Sequence, residues 1–435
     1  MTRVQAREAA VPAVPAGQGG VAGVIAALAG TLGLAQLPVR LRAWDGSEAG
    51  PLSGPAVLLR SPQALRRLLW HPGELGLAQA YVTGELDVEG DLEDGLRRVW
   101  RAVAAARPAV AGSPGRAVTR TPAAAWAATR AAATAALRLH ALGGPLPPPV
   151  SQLRVSGRRH SRARDRAVIA GHYDLPAAFY QLILDPSMAY SAAYWTSEAD
   201  DYTLADAQRD KLELICRKLG LAPGARLLDM GCGWGSLTVY AAQQHQVRVT
   251  AVTLSAQQGA HVTGRVRDLG LGDLVDVRVQ DYRDTGGGPY DAIASVEMGE
   301  HVGAAMYPRF CAALRDLVRP GGRILIQQMS RGARAPGGGP FIESYIAPDM
   351  HMRPVGETIA LLEKAGLEVT GAEAMREHYV RTVHAWQDNF EARQDQIGAL
   401  LTAEQVRVWR LYLAGGALAF ADGRMGVHQL IAMRR

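Results

Sequence analysis

The run Leu227-Leu228-Asp229-Met230-Gly231-Cys232-Gly233-Trp234-Gly235 sets an acid and three glycines at the end of a short apolar stretch. Glycines in that place let the backbone turn at positive φ and approach a ligand closely. The spacing is G-x-G-x-G, and Ser236 stands where a dinucleotide fingerprint needs its third glycine. No Gly-Lys-Ser/Thr follows, so the loop is not a P-loop either. The chemistry suits S-adenosylmethionine, with Asp229 holding the cofactor's cationic amino-acid end directly or through water. Thr253-Leu254-Ser255 stands where many nucleotide sites place an acid for the ribose, and Gln280-Asp281-Tyr282 suits the edge and face of an adenine. Glu300, with His301 behind it, supports two readings. It caps or salt-bridges a neighbouring helix, or it does acid–base chemistry; His301 reads as structural.

These residues need a frame. Short apolar runs at Arg226–Met230, Val247–Val252, Val275–Val279, Tyr290–Val296 and Arg323–Gln328 alternate with helical segments. That alternation predicts an α/β fold with a doubly wound parallel sheet. Asp229 stands at the end of the first predicted strand, Thr253-Leu254-Ser255 follows the second, and the third ends at Gln280-Asp281-Tyr282.

The chain has 435 residues, 48% of them hydrophobic and 20% charged, which suits two or three globular domains and argues against a disordered or fibrous protein. Basic residues exceed acidic ones by 47 to 41, a net charge of +6 that is mild for a nucleic-acid binder. Cys216, Cys232 and Cys311 are too few and scattered for a disulfide framework, and none sits at zinc-ligand spacing. No metal site is expected, and a reducing cytoplasm fits best. Residues 1–19 read as a disordered start, and 20–104 as a small α+β domain punctuated by Asp45-Gly46, Gly50-Pro51, Gly54-Pro55 and His71-Pro72-Gly73. Residues 105–153 read as an Ala/Pro-rich linker with a helix-prone stretch at 123–142, and 154–435 as the catalytic domain. The apolar run 20–37 carries four glycines and reads as a buried or surface helix rather than a membrane span. Residues 154–166 hold six arginines against the single acid Asp165. They form either a solvated charged helix end or a contact for phosphate head groups; RNA could use the same patch.

With these motifs in order, the chain resembles the cyclopropane-fatty-acyl-phospholipid and mycolic acid cyclopropane synthases. The residues that carry the likeness are His172-Tyr173-Asp174-Leu175, Leu184-Asp185-Pro186, Tyr190-Ser191-x-x-Tyr194-Trp195, the glycine loop, Val252-Thr253-Leu254-Ser255-x-x-Gln258, Gln280-Asp281-Tyr282, Glu300-His301-Val302-Gly303 and Phe341-Ile342-x-x-Tyr345-Ile346-x-Pro348. The resemblance implies a class I, Rossmann-like S-adenosylmethionine-dependent methyltransferase that acts on acyl-chain double bonds. It implies a smaller N-terminal lipid-engaging domain, whose marks are Ala43-Trp44-Asp45-Gly46-Ser47 and Gly76-Leu77-Ala78-x-Ala80-Tyr81. By the same likeness Tyr190, Ser191, Gly231, Thr253, Leu254, Gln258, Asp281 and Tyr282 line the cofactor, together with Asp229, Cys232, Gly233, Trp234 and Gly235 of the loop.

Family members of the cyclopropane type hold a bicarbonate as base. Its ligands correspond here to Ala192 (usually Cys), Glu300, Gln327 (usually His), the backbone near Met329, and Tyr379. The expected catalytic residues are therefore Glu300, Tyr379 and Gln327. The replacements at Ala192 and Gln327 speak against bicarbonate and against a cyclopropane product. Aromatics Tyr173, Phe179, Tyr180, Tyr190, Tyr194 and Trp195 could stabilise a carbocation and keep water from it.

The reading that follows is methylation of oleoyl phospholipid to a 10-methylene chain, which a flavin-dependent reductase would saturate; a cyclopropane synthase on the same lipids is the alternative. A non-catalytic lipid-binding protein is the alternative of another class. The family likeness also implies a homo-oligomer. Reaching mid-chain double bonds requires a cytoplasmic protein held peripherally on an anionic inner leaflet, with unsaturated phospholipid as partner and no nucleic acid.

Overall fold

The computed structural model describes residues 13–14, 20–31, 34, 36–110, 139, 143–173, 175–332 and 337–435. The side chains of 13–14, 106–110 and 170–173 fall outside that description, as do most of residues 1–19 and the helix-prone stretch of the expected linker. The chain divides into two compact units, Met1–Val150 and Ser151–Arg435.

The first unit carries a five-stranded sheet in the order β1-β3-β2-β4-β5, built from β1 (Ala13–Val14), β2 (Arg40–Ala43), β3 (Glu48–Pro51), β4 (Ala56–Leu59) and β5 (Leu86–Glu89). The apolar run near residue 20 forms the helix Val21–Thr31, whose first amides donate to Asp45 and Ser47. No helix of the described residues is long and apolar enough to cross a membrane. Ser61 caps the helix Pro62–Trp70 by accepting from the Gln63 amide. On that helix Arg67 forms a buried ion pair with Glu85 at 2.7 Å and donates to the Pro147 carbonyl. Trp70 Nε1 reaches the Gly143 carbonyl as well, so residues 143–150, read from sequence as the end of a linker, are bonded to this unit.

The second unit holds a seven-stranded sheet ordered β11-β12-β10-β9-β6-β7-β8. Its strands are β6 (Arg226–Met230), β7 (Arg248–Thr253), β8 (Val275–Val279), β9 (Tyr290–Val296), β10 (Val318–Arg331), β11 (Leu367–Ala374) and β12 (Met425–Arg434). The five predicted parallel strands are present, and β6 to β10 pair in parallel. Two antiparallel strands not anticipated from sequence, β11 and β12, complete the sheet beside β10. β11 (LEVTGAEA) escapes a pattern reading because Glu368 and Glu373 alternate with small residues and Gly371 sits mid-strand.

The strand order reverses at β6, which has β7 on one side and β9 on the other. A crevice opens there at the carboxyl ends of the strands. One apolar cluster packs Leu212, Ile215, Val239 and Val262 against β6 and β7, and another packs Phe310, Leu314 and Leu362 with β9, β10 and β12. A third, aromatic cluster joins the segment 179–207 to the helices Arg376–Ala392 and Ala403–Ala421. The helix Leu204–Leu219 is fixed at its start by a Thr203–Asp206 capping box and ends on Gly220 at φ +65°.

Candidate active site

The glycine loop leaves β6 with Gly231, Gly233 and Gly235 at φ +85°, +53° and +82°. The amides of Gly231 and Cys232 both donate to the Val252 carbonyl, which pins the loop to β7. The three glycines serve different ends. A Cβ on Gly231 would meet the Met298 side chain at 2.9 Å, and one on Gly235 would meet Val262 at 2.8 Å, so these two allow close packing. A Cβ on Gly233 would meet nothing within 4 Å, and Gly233 lines an open cavity.

That cavity brings together six of the expected cofactor residues: Gly231, Gly233, Thr253, Leu254, Gln258 and Tyr282. Thr253 donates its hydroxyl to Gln258 Oε1 at 2.8 Å, and Ser255 caps the helix Ala256–Asp268 by accepting from the Gln258 amide. The other expected residues stand back from the lining. Asp229 is buried and accepts from the Thr238 hydroxyl at 2.6 Å; burial raises its pKa to about 6. Asp281 accepts from the Arg283 amide and guanidinium. Those bonds outweigh burial and hold its carboxyl below the usual value. Ser191 accepts from the buried Lys211 ammonium at 2.9 Å. Cys232, Trp234 and Gly235 belong to the packing beneath the loop, with Trp234 against Tyr180 and His261. Tyr190 lies in the aromatic cluster, its hydroxyl donating to Tyr412 at 3.1 Å.

Beyond the cavity floor, β9 runs into Glu297-Met298-Gly299-Glu300. Sequence reasoning singled out Glu300, but Gln327 and Tyr379 converge on Glu297. Its Oε1 accepts from the Ala192 amide at 2.8 Å and from Gln327 Nε2 at 2.8 Å, and its Oε2 accepts from the Tyr379 hydroxyl at 2.7 Å. Burial raises the Glu297 pKa, while those three donors and the nearby Lys211 charge oppose the rise. Glu300 is 1% exposed, and neither of its oxygens makes a hydrogen bond of normal geometry. Burial first, then the neighbouring Glu297 charge, pushes its pKa up to about 8. His301, expected to be structural, lines the same cavity, and burial takes its pKa down to about 4.

Aromatic rings surround the carboxylate's partners. Tyr379 lies 4.4 Å from Phe420 and 6.0 Å from Trp386, and Trp386 lies 5.3 Å from Tyr190. Tyr180, Phe179 and Trp409 continue the cluster. Of the aromatics singled out from sequence, Tyr194 and Trp195 sit at its margin. Tyr194 bonds Glu373, and Trp195 packs under the Arg381 guanidinium. The Tyr173 side chain lies outside the described residues. In the arginine-rich segment, Arg159 and Arg164 pair with Asp349 and Arg162 with Asp284. Half of that positive run is therefore matched internally, while Arg154, Arg158 and Arg166 are exposed. No cluster of metal-binding side chains exists among the described residues.

Residues 160–430 match the family model described as mycolic acid cyclopropane synthetase. The chain belongs to this family. A probable fatty acid methyltransferase of Pseudomonas putida is 35% identical over 410 residues, covering 92% of each chain. The tuberculostearic acid methyltransferase UfaA1 of Mycobacterium tuberculosis is 32% identical over 413 residues, covering 92% of this chain and 88% of the relative. Among solved structures, the mycolic acid cyclopropane synthase CmaA1, complexed with SAH and CTAB, superposes with a TM-score of 0.58. It is 31% identical and covers 62% of this chain and 98% of that one. This member of the family is an S-adenosylmethionine-dependent methyltransferase.

The cavity fits that cofactor: an open glycine at Gly233, a hydroxyl and amide pair at Thr253 and Gln258, and a ring at Tyr282 are the contacts a nucleoside with a polar tail requires. Bicarbonate does not fit in the same way. Three of the groups expected to hold it, at Ala192, Gln327 and Tyr379, already bond the Glu297 carboxylate. Glu297 and Lys211 were the residues that sequence reasoning missed. The signal available for Glu297 was two acids three residues apart, just past the fourth parallel strand.

Proposed function

We propose that the enzyme methylates the cis double bond of unsaturated phospholipid acyl chains, oleoyl chains in particular, and releases a 10-methylene chain. The observation that carries this reading is the part-buried Glu297 carboxyl bonded to Tyr379, whose ring leads a chain of contacting rings through Trp386 and Tyr190 to Tyr180. An alkene is a weak nucleophile, and its methylation leaves a positive charge on carbon. Aromatic faces and a fixed carboxylate stabilise such a charge, and an apolar wall excludes the water that would quench it.

Gly231, Gly233, Thr253, Leu254, Gln258 and Tyr282 would hold S-adenosylmethionine, with Asp281 anchoring Arg283 at the rim. Bound there, the cofactor supplies an electrophilic methyl group. Gln327 and Tyr379 fix the carboxylate beside the reacting chain, and Glu300, with a pKa of about 8, is neutral at pH 7 and adds no second negative charge. A secondary cation that undergoes a 1,2-hydride shift becomes tertiary, and loss of a methyl proton then gives the exocyclic methylene. Direct loss of that proton would close a cyclopropane, the product of the second reading. The likeness to a protein named a tuberculostearic acid methyltransferase, over nearly the whole chain, favours the first. A hydride-donating flavin reductase is the class of enzyme that would saturate such a product.

The N-terminal unit would engage the lipid surface. Leu69, Trp70 and Leu77, on neighbouring helices, expose 54%, 49% and 42% of their surface. Exposed Arg154, Arg158 and Arg166 would add attraction to anionic head groups. The test is transfer of labelled methyl from S-adenosylmethionine to phospholipid vesicles. Label in dioleoyl but not in fully saturated vesicles supports the reading; no label in either overturns it.

A further inference from the structure

Glu297 combines four properties that rarely meet in one side chain. It is not glycine, yet it holds φ at +49°, a strained conformation that persists where the surroundings impose it. Its amide donates to the Gln327 carbonyl at 2.6 Å, so the strained turn is clamped to β10. Its carboxylate is part-buried and accepts three hydrogen bonds from three separate segments. It also lines the cofactor cavity.

The donors are themselves oriented. Lys218 Nζ donates to Gln429 Oε1 at 2.7 Å, and Gln429 Nε2 donates to Gln327 Oε1 at 2.9 Å. Gln327 therefore has only its NH2 group left for Glu297, and the register that sets Gln327 opposite Gln429 on β10 and β12 builds this relay into the sheet. Lys211, buried on the helix Leu204–Leu219, supplies the compensating positive charge.

We propose that the Glu297 carboxylate is the enzyme's resident base, occupying the cradle where family resemblance places an exchangeable bicarbonate. The inference rests on the acyl-chain reading above. In the step assigned to it, a C–H bond of the newly added methyl group breaks. The electron pair forms the C=CH2 bond and cancels the charge of the cation, and the proton passes to a Glu297 carboxylate oxygen. No external base is consumed. Gln327 and Tyr379 are positioning residues for that oxygen, and Gln429 positions Gln327.

The test compares wild type, Glu297→Gln and Glu297→Gly in bicarbonate-free buffer and with bicarbonate restored. Wild type is expected to methylate oleoyl vesicles equally in both. Glu297→Gln, isosteric and without a basic oxygen pair, is expected to lose roughly 100-fold or more in kcat, the scale of a general base, and bicarbonate does not rescue it. Glu297→Gly relieves the strained φ and empties the cradle, so its activity is expected to return with added bicarbonate. Line broadening of 13C-bicarbonate in NMR reads the cradle without any turnover: binding to Glu297→Gly and none to wild type is the expected pattern. Far-ultraviolet circular dichroism that matches wild type in both variants reports an intact fold. A wild type that loses activity without bicarbonate or binds it with Glu297 in place overturns the proposal, and so does a Glu297→Gln variant with full kcat. If wild type methylates no lipid, the acyl-chain reading fails, while the 13C measurement still decides who occupies the cradle.

Discussion

Replacing Glu300 by Gln should stabilise the protein, and the gain should grow with pH. Glu300 is fully buried without a hydrogen bond of normal geometry, and its pKa stands at about 8 against an ordinary value of 4.5. A raised carboxyl pKa means that the folded state keeps a proton that the unfolded state releases. Stability is therefore whole below about pH 4.5 and falls as pH rises towards 8, after which both states are ionised and the loss is constant. At about 1.4 kcal/mol per tenfold change in proton concentration, the full loss well above pH 8 is about 5 kcal/mol. At about pH 5 it is under about 1 kcal/mol. Gln mimics the protonated acid in shape and never ionises, so Glu300→Gln removes this loss. With about 2 °C per kcal/mol for a domain of this size, its Tm should exceed wild type by about 9 °C near pH 8 and by about 2 °C near pH 5. Differential scanning calorimetry across that range is the assay. A Tm difference that stays flat with pH, or a variant less stable than wild type near pH 8, would refute the reasoning.

Other outcomes follow from the same geometry. Gly235→Ala and Gly231→Ala place a Cβ at 2.8 Å from Val262 and 2.9 Å from Met298 at left-handed φ, so each should lower stability by about 1–2 kcal/mol or more in denaturant titration. Gly233→Ala, whose Cβ meets no protein atom, should chiefly weaken S-adenosylmethionine binding in calorimetry. Lys211→Met removes the charge that favours ionised Glu297, and the acid limb of the kcat–pH profile should move up by roughly a unit. Arg154, Arg158 and Arg166 together changed to Glu should reduce sedimentation with anionic vesicles by more than tenfold, at about 1 kcal/mol per arginine removed, and leave binding to neutral vesicles unchanged.

What could be read from the sequence was local. The strand–glycine loop–helix at 226–245 and the parallel strands around it are written in consecutive residues, so pattern and spacing carried them. The proposed reaction centre is not local. The donors to Glu297 lie 105, 30 and 82 residues away, at Ala192, Gln327 and Tyr379, and only folding brings them to one carboxylate. Glu300 attracted attention as part of a recognisable motif, while Glu297 three residues earlier looked like the end of a strand. Lys211 reads as one more polar residue on an amphipathic helix, and its burial shows only once Ser191 is packed above it. Trp386, Trp409, Tyr412 and Phe420 entered the aromatic cluster from two C-terminal helices for the same reason. Asp229 was legible by its place beside the loop, whereas the Thr238 hydroxyl that donates to one of its carboxylate oxygens, nine residues on, was not.

The most direct test of the central claim is NMR of the lipid formed from 13C-methyl S-adenosylmethionine and oleoyl-phospholipid vesicles. Mass cannot separate the two candidate products, because each adds one CH2. A 13C-labelled exocyclic methylene with two vinylic protons is expected, the mark of a hydride shift followed by proton loss to the resident carboxylate. Labelled cyclopropane signals upfield of the methyl region would contradict it.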